Sequence, residues 1–137
     1  MTKILFWMDL PLILGFGAFI VAQRQWNFRY LVGLGLALGG FTLWGLARIQ
    51  LGKSFSVRAE ARALVTTGLY SRFRHPVYLF GGLTYAGLFL AWGKLIPGLC
   101  FALIYPTYQT LRSKKEDAVL EQAFGEEYRR YRAGTWL

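Results

Sequence analysis

Two short stretches of this sequence combine charged and aromatic side chains at spacings that suit chemistry. The first, SRFRHPVY at 71–78, holds two arginines, the sole histidine of the chain and a proline, directly before an uncharged apolar run. Charged groups beside hydrocarbon are costly unless they anchor a helix or take part in function. If Pro76 begins a helix, His75 lies at its N-terminus, where free backbone N–H groups and the helix dipole favour a carboxylate or another anion.

The second stretch, LRSKKEDAVLEQAFGEEYRRYRAGTWL at 111–137, follows another apolar run. It is predicted to be a helix that continues that run beyond the membrane in which the run would lie. Arg112 and Glu116 are four residues apart, so they are neighbours on one helix face. An apolar stripe follows at the same spacing, and Gly125 is expected to end or kink the helix. The simplest alternative for the Arg112–Glu116 pair is a surface ion pair that adds a few tenths of a kcal/mol to stability.

The elements that must position these residues are four long apolar runs. Ile4–Ala22 contains one charged residue, Asp9, and the other three runs contain none: Tyr30–Ala47, Val77–Gly93 and Leu95–Leu111. Each run has 17 to 19 residues, close to the ~20 that an α-helix needs to cross a bilayer. The sequence therefore predicts an all-α integral membrane protein of about four transmembrane helices. The last two are expected to form a short hairpin, followed by a cytoplasmic C-terminal helix.

The basic residues are distributed unevenly over this topology. With four passes, thirteen of the sixteen lysines and arginines fall on the side that carries both termini and the 48–76 loop: Lys3, Arg48, Lys53, Arg58, Arg62, Arg72, Arg74, Arg112, Lys114, Lys115, Arg129, Arg130 and Arg132. Arg24, Arg29 and Lys94 remain on the other side. The positive-inside rule places the rich side in the cytoplasm. The net charge of +9 is then explained by topology and lipid headgroups, and nucleic acid is not expected as a partner.

The composition also limits the chemistry. One histidine and one cysteine cannot build a zinc site, and no metal site is predicted. Glycines of the second run, Gly33, Gly35, Gly39 and Gly40, favour close helix packing, and Gly35–Gly39 has the small-xxx-small spacing. The oligomeric state is left open, because packing within one chain explains these glycines as well as dimerisation does.

Four stretches, in this order around a helical hairpin, resemble the isoprenylcysteine carboxyl methyltransferase family and the related membrane phospholipid methyltransferases. They are LGKSFS at 51–56, LVTTGLYSRFRHPVY at 64–78, RSKKEDAVL at 112–120 and FGEEYRRY at 124–131. The resemblance implies a single membrane-embedded methyltransferase domain over 1–137, with a two-helix scaffold at 1–50 and a cofactor-binding part at 51–137. It implies S-adenosylmethionine as the cofactor. Where the family has a pair of glutamates, this chain has Glu116 and Asp117.

Positions carried over from the family give the expected site. The resemblance implies a cofactor pocket formed by Leu64, Val65, Tyr70, His75, Pro76, Val77, Tyr78 and Glu116. Glu116 would hold the cofactor's ammonium, and Arg112 would be the catalytic residue that meets the acceptor's carboxylate. The residue types suit these tasks, because a carboxylate pairs with an ammonium and a guanidinium binds a carboxylate through two parallel hydrogen bonds.

The acceptor and two other interpretations are left open. A lipophilic acceptor is expected, most simply the carboxylate of an isoprenylcysteine-like or isoprenoid acid, with an active site that faces the cytoplasm and membrane lipids around the protein. A phospholipid amine is the alternative acceptor, although an amine needs a route for its proton. One other interpretation is a small four-helix transporter that uses Asp9 as an ion site within the membrane. Another is a four-helix membrane enzyme of glutathione or eicosanoid metabolism, which is similar in size and topology, although no matching Glu-Arg-x-x-x-Asn pattern occurs in the helices.

Overall fold

The chain folds into helices, and the computed structural model describes residues 9–24, 26–52 and 64–136. Within those ranges there are five α-helices and no strand: α1 (Asp9–Ala22), α2 (Phe28–Gly52), α3 (Pro76–Trp92), α4 (Leu95–Phe124) and α5 (Glu126–Ala133), with a 3₁₀ turn at Gly68–Ser71 between α2 and α3. The all-α prediction is confirmed for this part of the chain. Residues 53–56 of the LGKSFS stretch and the basic residues Lys3, Lys53, Arg58 and Arg62 lie outside the described ranges.

Local sequence signals explain where the helices begin and end. The side chain of Asn27 accepts a hydrogen bond from the backbone N–H of Tyr30 at 2.8 Å and so caps α2. Pro76 occupies the first turn of α3, as predicted, with His75 at the N-cap position. Gly93 ends α3 with a φ of 71°, and Gly125 ends α4 with a φ of 52°. Both angles lie in the left-handed region that glycine adopts without a steric penalty.

The predicted hairpin is present, but its second arm is not short. Gly93 and Lys94 join α3 to α4, and α4 then continues without interruption for 30 residues. The last apolar run and most of the predicted cytoplasmic helix therefore form one helix, and only the eight residues of α5 make a separate element. Within the described residues, α2 is the one helix that is long and apolar enough to cross a membrane, whereas α1 and α3 are apolar but shorter.

The closest packing in the molecule is between α2 and α3, along a seam of small residues that we call the α2–α3 seam: Gly33, Ala37 and Gly40 on α2 and Thr84, Gly87 and Ala91 on α3. A Cβ atom added at Gly33 would lie 2.4 Å from the backbone nitrogen of Ala91, and one at Gly40 would lie 2.7 Å from that of Thr84. A Cβ atom added at Gly35 or Gly39 would meet no described atom of another helix within 4 Å. Gly33 and Gly40 therefore permit the packing within the chain, and the Gly35–Gly39 spacing does not contribute to it.

An ion pair between a buried arginine and a half-exposed aspartate joins α1 to α2. The guanidinium of Arg48 lies 2.7 Å from the carboxylate of Asp9, and Arg48 is only 4% exposed. The same guanidinium lies 4.2 Å from the ring centroid of Trp44, a distance typical of a cation–π contact. Asp9, the one acid of the first apolar run, thus has a structural partner, and Arg48 lies inside the helical packing rather than at the surface.

Candidate active site

Residues from the two chemically promising stretches meet where α3 begins and α4 leaves its apolar run. The hydroxyl of Tyr78 donates a hydrogen bond to the carboxylate of Glu116. Arg112 donates to the same carboxylate oxygen from Nε at 3.3 Å, and its guanidinium carbon lies 5.1 Å from the ring centroid of Tyr78. The predicted Arg112–Glu116 neighbours are therefore confirmed as contacting, and Tyr78 joins them to the start of α3.

His75 connects this cluster to a second carboxylate. Its ring stacks on that of Tyr78, with centroids 5.6 Å apart and an interplanar angle of 16°. Nε2 donates to Asp117 Oδ1 at 2.8 Å, while Nδ1 lies 3.9 Å from a carboxylate oxygen of Glu116. The imidazole is thus held on one side by Asp117 and has its other nitrogen directed toward Glu116.

Asp117 is the centre of this network. Besides the bond from His75, it accepts a hydrogen bond from the hydroxyl of the buried Tyr128 at 2.5 Å. Arg74 Nη1 lies 3.3 Å from its other oxygen. Burial by itself would raise the pKa of the Asp117 carboxyl, but the bonds from Tyr128 and His75 and the charge of Arg74 hold that pKa below its usual value. The carboxylate is therefore ionised at neutral pH and fixes the orientation of His75.

An apolar layer supports these polar groups from beneath. Tyr70 and Val77 are buried, and Val65 and Tyr78 pack against the same cluster. Pro76 is fully buried at the start of α3, and Leu64 is half-buried beside Val65. Burial raises the pKa of the Tyr70 phenol, so Tyr70 is a neutral group at physiological pH.

The C-terminal part of the chain returns to cover this layer. The hydroxyl of Tyr131, on α5, donates to the backbone carbonyl of Tyr70 at 2.6 Å. The backbone N–H of Trp136 donates to the carbonyl of Arg72 at 2.8 Å. At the other side of the turn, the side-chain oxygen of Gln50 accepts from the N–H of Leu69 at 3.0 Å. The 64–76 segment is therefore held between α2 and α5.

A groove of about 1070 Å³ lies between α3 and α4 and starts at this cluster. Its polar end is lined by His75, Asp117 and Lys114. Its middle is lined mainly by aliphatic and aromatic side chains and by glycine, namely Leu79, Gly82, Leu83, Ala86, Phe89, Leu99 and Ala102. Its far end is formed by Arg29, Gly93 and Lys94. An apolar cleft with a few convergent polar groups has the form of a binding site for a lipophilic molecule.

The structure brings together most of the residues that the sequence implied. His75, Tyr78 and Glu116 are adjacent, Arg112 contacts Tyr78 and Glu116, and Tyr70, Val65 and Val77 lie in the supporting layer. Their roles toward a cofactor stay predictions. Sequence reasoning did not assign functions to Asp117, Tyr128 and Arg74. The adjacency of Asp117 to Glu116 was the one available signal, because nothing local indicates that Tyr128, eleven residues later, turns back onto Asp117.

Comparison with known proteins gives a consistent assignment. The sequence model of a family described as phospholipid methyltransferase matches residues 28–127. A protein-S-isoprenylcysteine O-methyltransferase of Schizosaccharomyces pombe is 33% identical over 115 residues, which cover 77% of this chain and 49% of that protein. A human protein of the same name is 28% identical over 114 residues, covering 80% of this chain and 40% of the human protein.

A third relative bears a different name. The nickel-cobalt-cadmium resistance protein NccN of Alcaligenes xylosoxydans xylosoxydans is 33% identical over 115 residues, which cover 80% of this chain and 52% of that protein. The chain thus spans about half the length of the curated relatives it matches. Among the described residues, no group of three or more histidine, cysteine, aspartate or glutamate side chains is placed to hold a metal ion.

Proposed function

Because the chain belongs to the phospholipid methyltransferase family, we propose that it is a membrane methyltransferase that transfers a methyl group from S-adenosylmethionine to a lipophilic acceptor. The observation that carries this proposal is the Tyr78–Glu116–Arg112 cluster. Tyr78 and the stacked His75 line the polar end of an apolar groove, and Glu116 and Arg112 contact Tyr78 beside that end. A polar site for the cofactor beside an apolar site for the acceptor is the arrangement that such a reaction requires.

The donor set fits S-adenosylmethionine, which supplies a methyl group already activated by its sulfonium. The carboxylate of Glu116 suits the cofactor's ammonium, and the cationic Arg74 with the N-terminus of α3 suits its carboxylate. Tyr70 and Tyr78 are the aromatic residues of this region, and in this proposal they pack against the adenosine. Leu64, Val65, Pro76 and Val77 complete the pocket in this proposal. His75, fixed by Asp117, directs Nδ1 toward Glu116 and so can orient the polar end of the cofactor.

We propose a carboxylate as the acceptor group, carried by an isoprenylcysteine-like or isoprenoid acid. A carboxylate needs no general base to accept a methyl group, only alignment and exclusion of water. Arg112 supports this choice. Its guanidinium lies over the Tyr78 ring and contacts Glu116, the residue proposed to bind the cofactor's ammonium. Two relatives carry the name protein-S-isoprenylcysteine O-methyltransferase, which agrees with a prenylated acceptor.

A lipid amine is the second candidate acceptor, and one observation favours it. Methylation of an amine requires a group that takes the proton, and His75 held by Asp117 at 2.8 Å has the form of an oriented base. The transporter interpretation has less support, because Asp9 is paired with the buried Arg48 at 2.7 Å instead of being directed into a pathway.

The proposed setting is a multi-pass membrane protein whose two termini and active site face the cytoplasm. The two ends of the groove support it. Arg74, Lys114 and Arg132 line one end, whereas Arg29 and Lys94 line the other, as the uneven distribution of basic residues predicts. The division into a scaffold at 1–50 and a cofactor-binding part at 51–137 belongs to the same proposal. Cysteine labelling at residue 2 from the cytoplasmic side only would agree with it, and labelling from the outside only would contradict it.

The decisive experiment is a methyl-transfer assay in detergent with labelled S-adenosylmethionine and a panel of prenylated acids and lipid amines. Label is expected in base-labile ester with the acids, and base-stable label with an amine would instead establish the second candidate. Thermal stability provides a check that does not need the acceptor. S-adenosylmethionine should stabilise the protein by mass action, whereas glutathione should not. Absence of both label transfer and stabilisation would refute the methyltransferase proposal.

A further inference from the structure

The far end of the α3–α4 groove is chemically distinct from its middle. Beyond the apolar residues, the groove ends at Arg29, Gly93 and Lys94. Gly93 is the left-handed residue that ends α3, and its φ is 71°. Two basic residues therefore stand where an apolar passage between two helices reaches the hairpin turn.

Arg29 reaches this turn from a different helix. It lies in the first turn of α2, and its guanidinium packs directly on Gly93: a Cβ atom added there would lie 2.1 Å from Arg29 Nη2 and 2.3 Å from Cζ. The absence of a side chain at residue 93 is thus what admits the guanidinium. Arg29 covers the hairpin turn and forms an end wall of the groove.

The distance from the cluster to this wall is defined by α3. Tyr78 and Gly93 are separated by fifteen residues of one helix, which corresponds to about 22 Å at ~1.5 Å per residue. An extended isoprene unit spans about 5 Å, since it adds four carbon–carbon bonds of ~1.5 Å in a zigzag. The groove therefore has room for a single chain of about four isoprene units.

We propose that Arg29 is the residue that limits the length of the acceptor's hydrocarbon chain. This inference rests on the proposed function and makes it more specific. The acceptor's carboxylate lies at the polar end of the groove, at Tyr78 and the Arg112 that contacts it, and its single chain follows the apolar middle toward Gly93. A hydrocarbon chain that is one unit too long meets the Arg29 guanidinium. It must then displace the water or the polar groups that the guanidinium contacts, which is unfavourable. Shorter chains leave part of the groove to lipid.

The size of the effect follows from the membrane setting. A chain that enters the groove leaves lipid rather than water, so each added unit gains packing contacts but little hydrophobic free energy. We expect KM, expressed as the mole fraction of acceptor in mixed micelles, to fall only about threefold per unit up to four units. At five units, contact with Arg29 should raise KM at least ~3-fold.

The test uses S-prenyl thiopropionic acids with two, three, four and five isoprene units as acceptors. Arg29→Leu replaces the charged wall with an apolar side chain, so KM for five units should no longer exceed KM for four. The values for two and three units should stay as in the wild type. Arg24→Leu is the matched control, because it removes a basic residue on the same side that is not among those lining the described groove. It should keep the wild-type profile.

A second variant should shorten the longest hydrocarbon chain that the groove accepts. Gly98 lines the groove near its far end, and a Cβ atom there would have Phe89 Cβ as its nearest neighbour, at 3.9 Å. Gly98→Leu should therefore insert a side chain into the groove without disturbing the backbone, and move the lowest KM to three units or fewer.

The outcomes separate this inference from the proposed function. Methyl transfer with a KM that does not change with chain length, or an increase at five units that persists in Arg29→Leu, would overturn the role of Arg29 and leave the methyltransferase proposal intact. If no acid is methylated, the carboxylate-acceptor proposal fails. The same acids can then be ranked by thermal stabilisation of the wild type and Arg29→Leu, which tests the length limit without turnover.

Discussion

The two sides of α3 differ in how closely they pack against the neighbouring helix. Toward α2, backbone approaches backbone along the α2–α3 seam, where Gly33, Gly40 and Gly87 leave no space for a side chain. Toward α4, the helices separate around a groove of about 1070 Å³. Across that groove, the Tyr105 hydroxyl donates to the backbone carbonyl of Tyr78 at 2.9 Å, and Tyr78 contacts Glu116.

The difference shows how a small helical protein can combine a rigid part with a binding site. Van der Waals contact between close backbones holds α2 and α3 together, as is common for helices in membranes. α4 is positioned by polar contacts at one end, by the two-residue hairpin at the other, and by ring contacts of Phe101 with Tyr85 and Phe89 between them. The groove stays open beside these rings. α3 is therefore the shared element, and its first turn carries His75 and Tyr78 into the site.

The largest effect is expected from adding a methyl group inside the α2–α3 seam. Gly33→Ala would place a Cβ atom 2.4 Å from the backbone nitrogen of Ala91, so α2 and α3 would have to separate. We expect a loss of at least ~3 kcal/mol in stability or failure to fold, since overpacking against a backbone cannot relax by a rotamer change. Thermal denaturation in detergent measures this.

Gly98→Ala is the matched change on the groove side. The new Cβ atom would make only an ordinary contact of 3.9 Å with Phe89, so stability should be unchanged or higher by up to ~1 kcal/mol because alanine favours a helix. Equal destabilisation by Gly33→Ala and Gly98→Ala would show that the two sides of α3 do not differ as described.

The next largest effect concerns Arg112, which contacts Tyr78 beside the polar end of the groove. Lysine keeps the charge but lacks the planar pair of donors that aligns a carboxylate. Arg112→Lys is therefore expected to keep cofactor affinity near normal and to lower turnover with a carboxylate acceptor at least ~10-fold, or about 1.4 kcal/mol of transition-state stabilisation. Turnover and cofactor affinity are measured separately. Full activity in Arg112→Gln would eliminate the carboxylate-orienting role and favour an amine acceptor.

Glu116 should affect binding more than stability. Its pair with Arg112 is half-exposed, with side chains that are 50% and 42% accessible, so its loss should cost less than ~1 kcal/mol in unfolding free energy. Loss of a charge-assisted contact to the cofactor's ammonium is worth more, and Glu116→Ala should weaken S-adenosylmethionine binding about 10-fold. Calorimetry on the folded variant measures it.

Glu121 provides the control for Glu116 on the same helix. It accepts a hydrogen bond from Arg129 at 2.8 Å and is remote in sequence from the cofactor stretch. Glu121→Ala should leave cofactor affinity as in the wild type. Unchanged affinity in Glu116→Ala as well would mean that the Arg112–Glu116 pair is only a surface ion pair.

The smallest effect is a change in the acid sensitivity of the folded protein. The pKa of Asp117 is lower in the folded protein than its ordinary value of 3.8. The stabilisation from its ionised form is therefore complete above that ordinary value and is lost as the pH falls through the folded pKa. Asp117→Asn should lower the melting temperature at neutral pH and flatten its decline below about pH 4.

Tyr128→Phe provides the companion variant for Asp117. It removes one hydrogen bond to Asp117 and keeps the carboxylate, so it should weaken the acid dependence without abolishing it. A wild-type melting temperature that does not change between pH 5 and the acid range would contradict the assignment of Asp117 as the centre of the network.

Much of this arrangement was determined by the sequence itself. Uninterrupted apolar runs predicted the helices because a segment without a polar face must be buried or in lipid. Pro76 and Gly125 marked helix ends because their backbone preferences are local. The positions of His75, Tyr78 and Glu116 could be proposed because the stretches that resemble the methyltransferase family are continuous in the sequence.

The tertiary structure decided what depends on which faces meet. Gly33 and Gly40, rather than Gly35 and Gly39, form the seam because the rotation of α2 is set by contact with α3. Asp9 and Arg48, thirty-nine residues apart, pair because α1 and α2 lie side by side. Asp117 holds His75 because α4 lies beside the start of α3, and Tyr128 also reaches Asp117 because α5 turns back after Gly125. Such contacts arise from the packing of distant segments, whose relative rotation and position are not set by any local spacing.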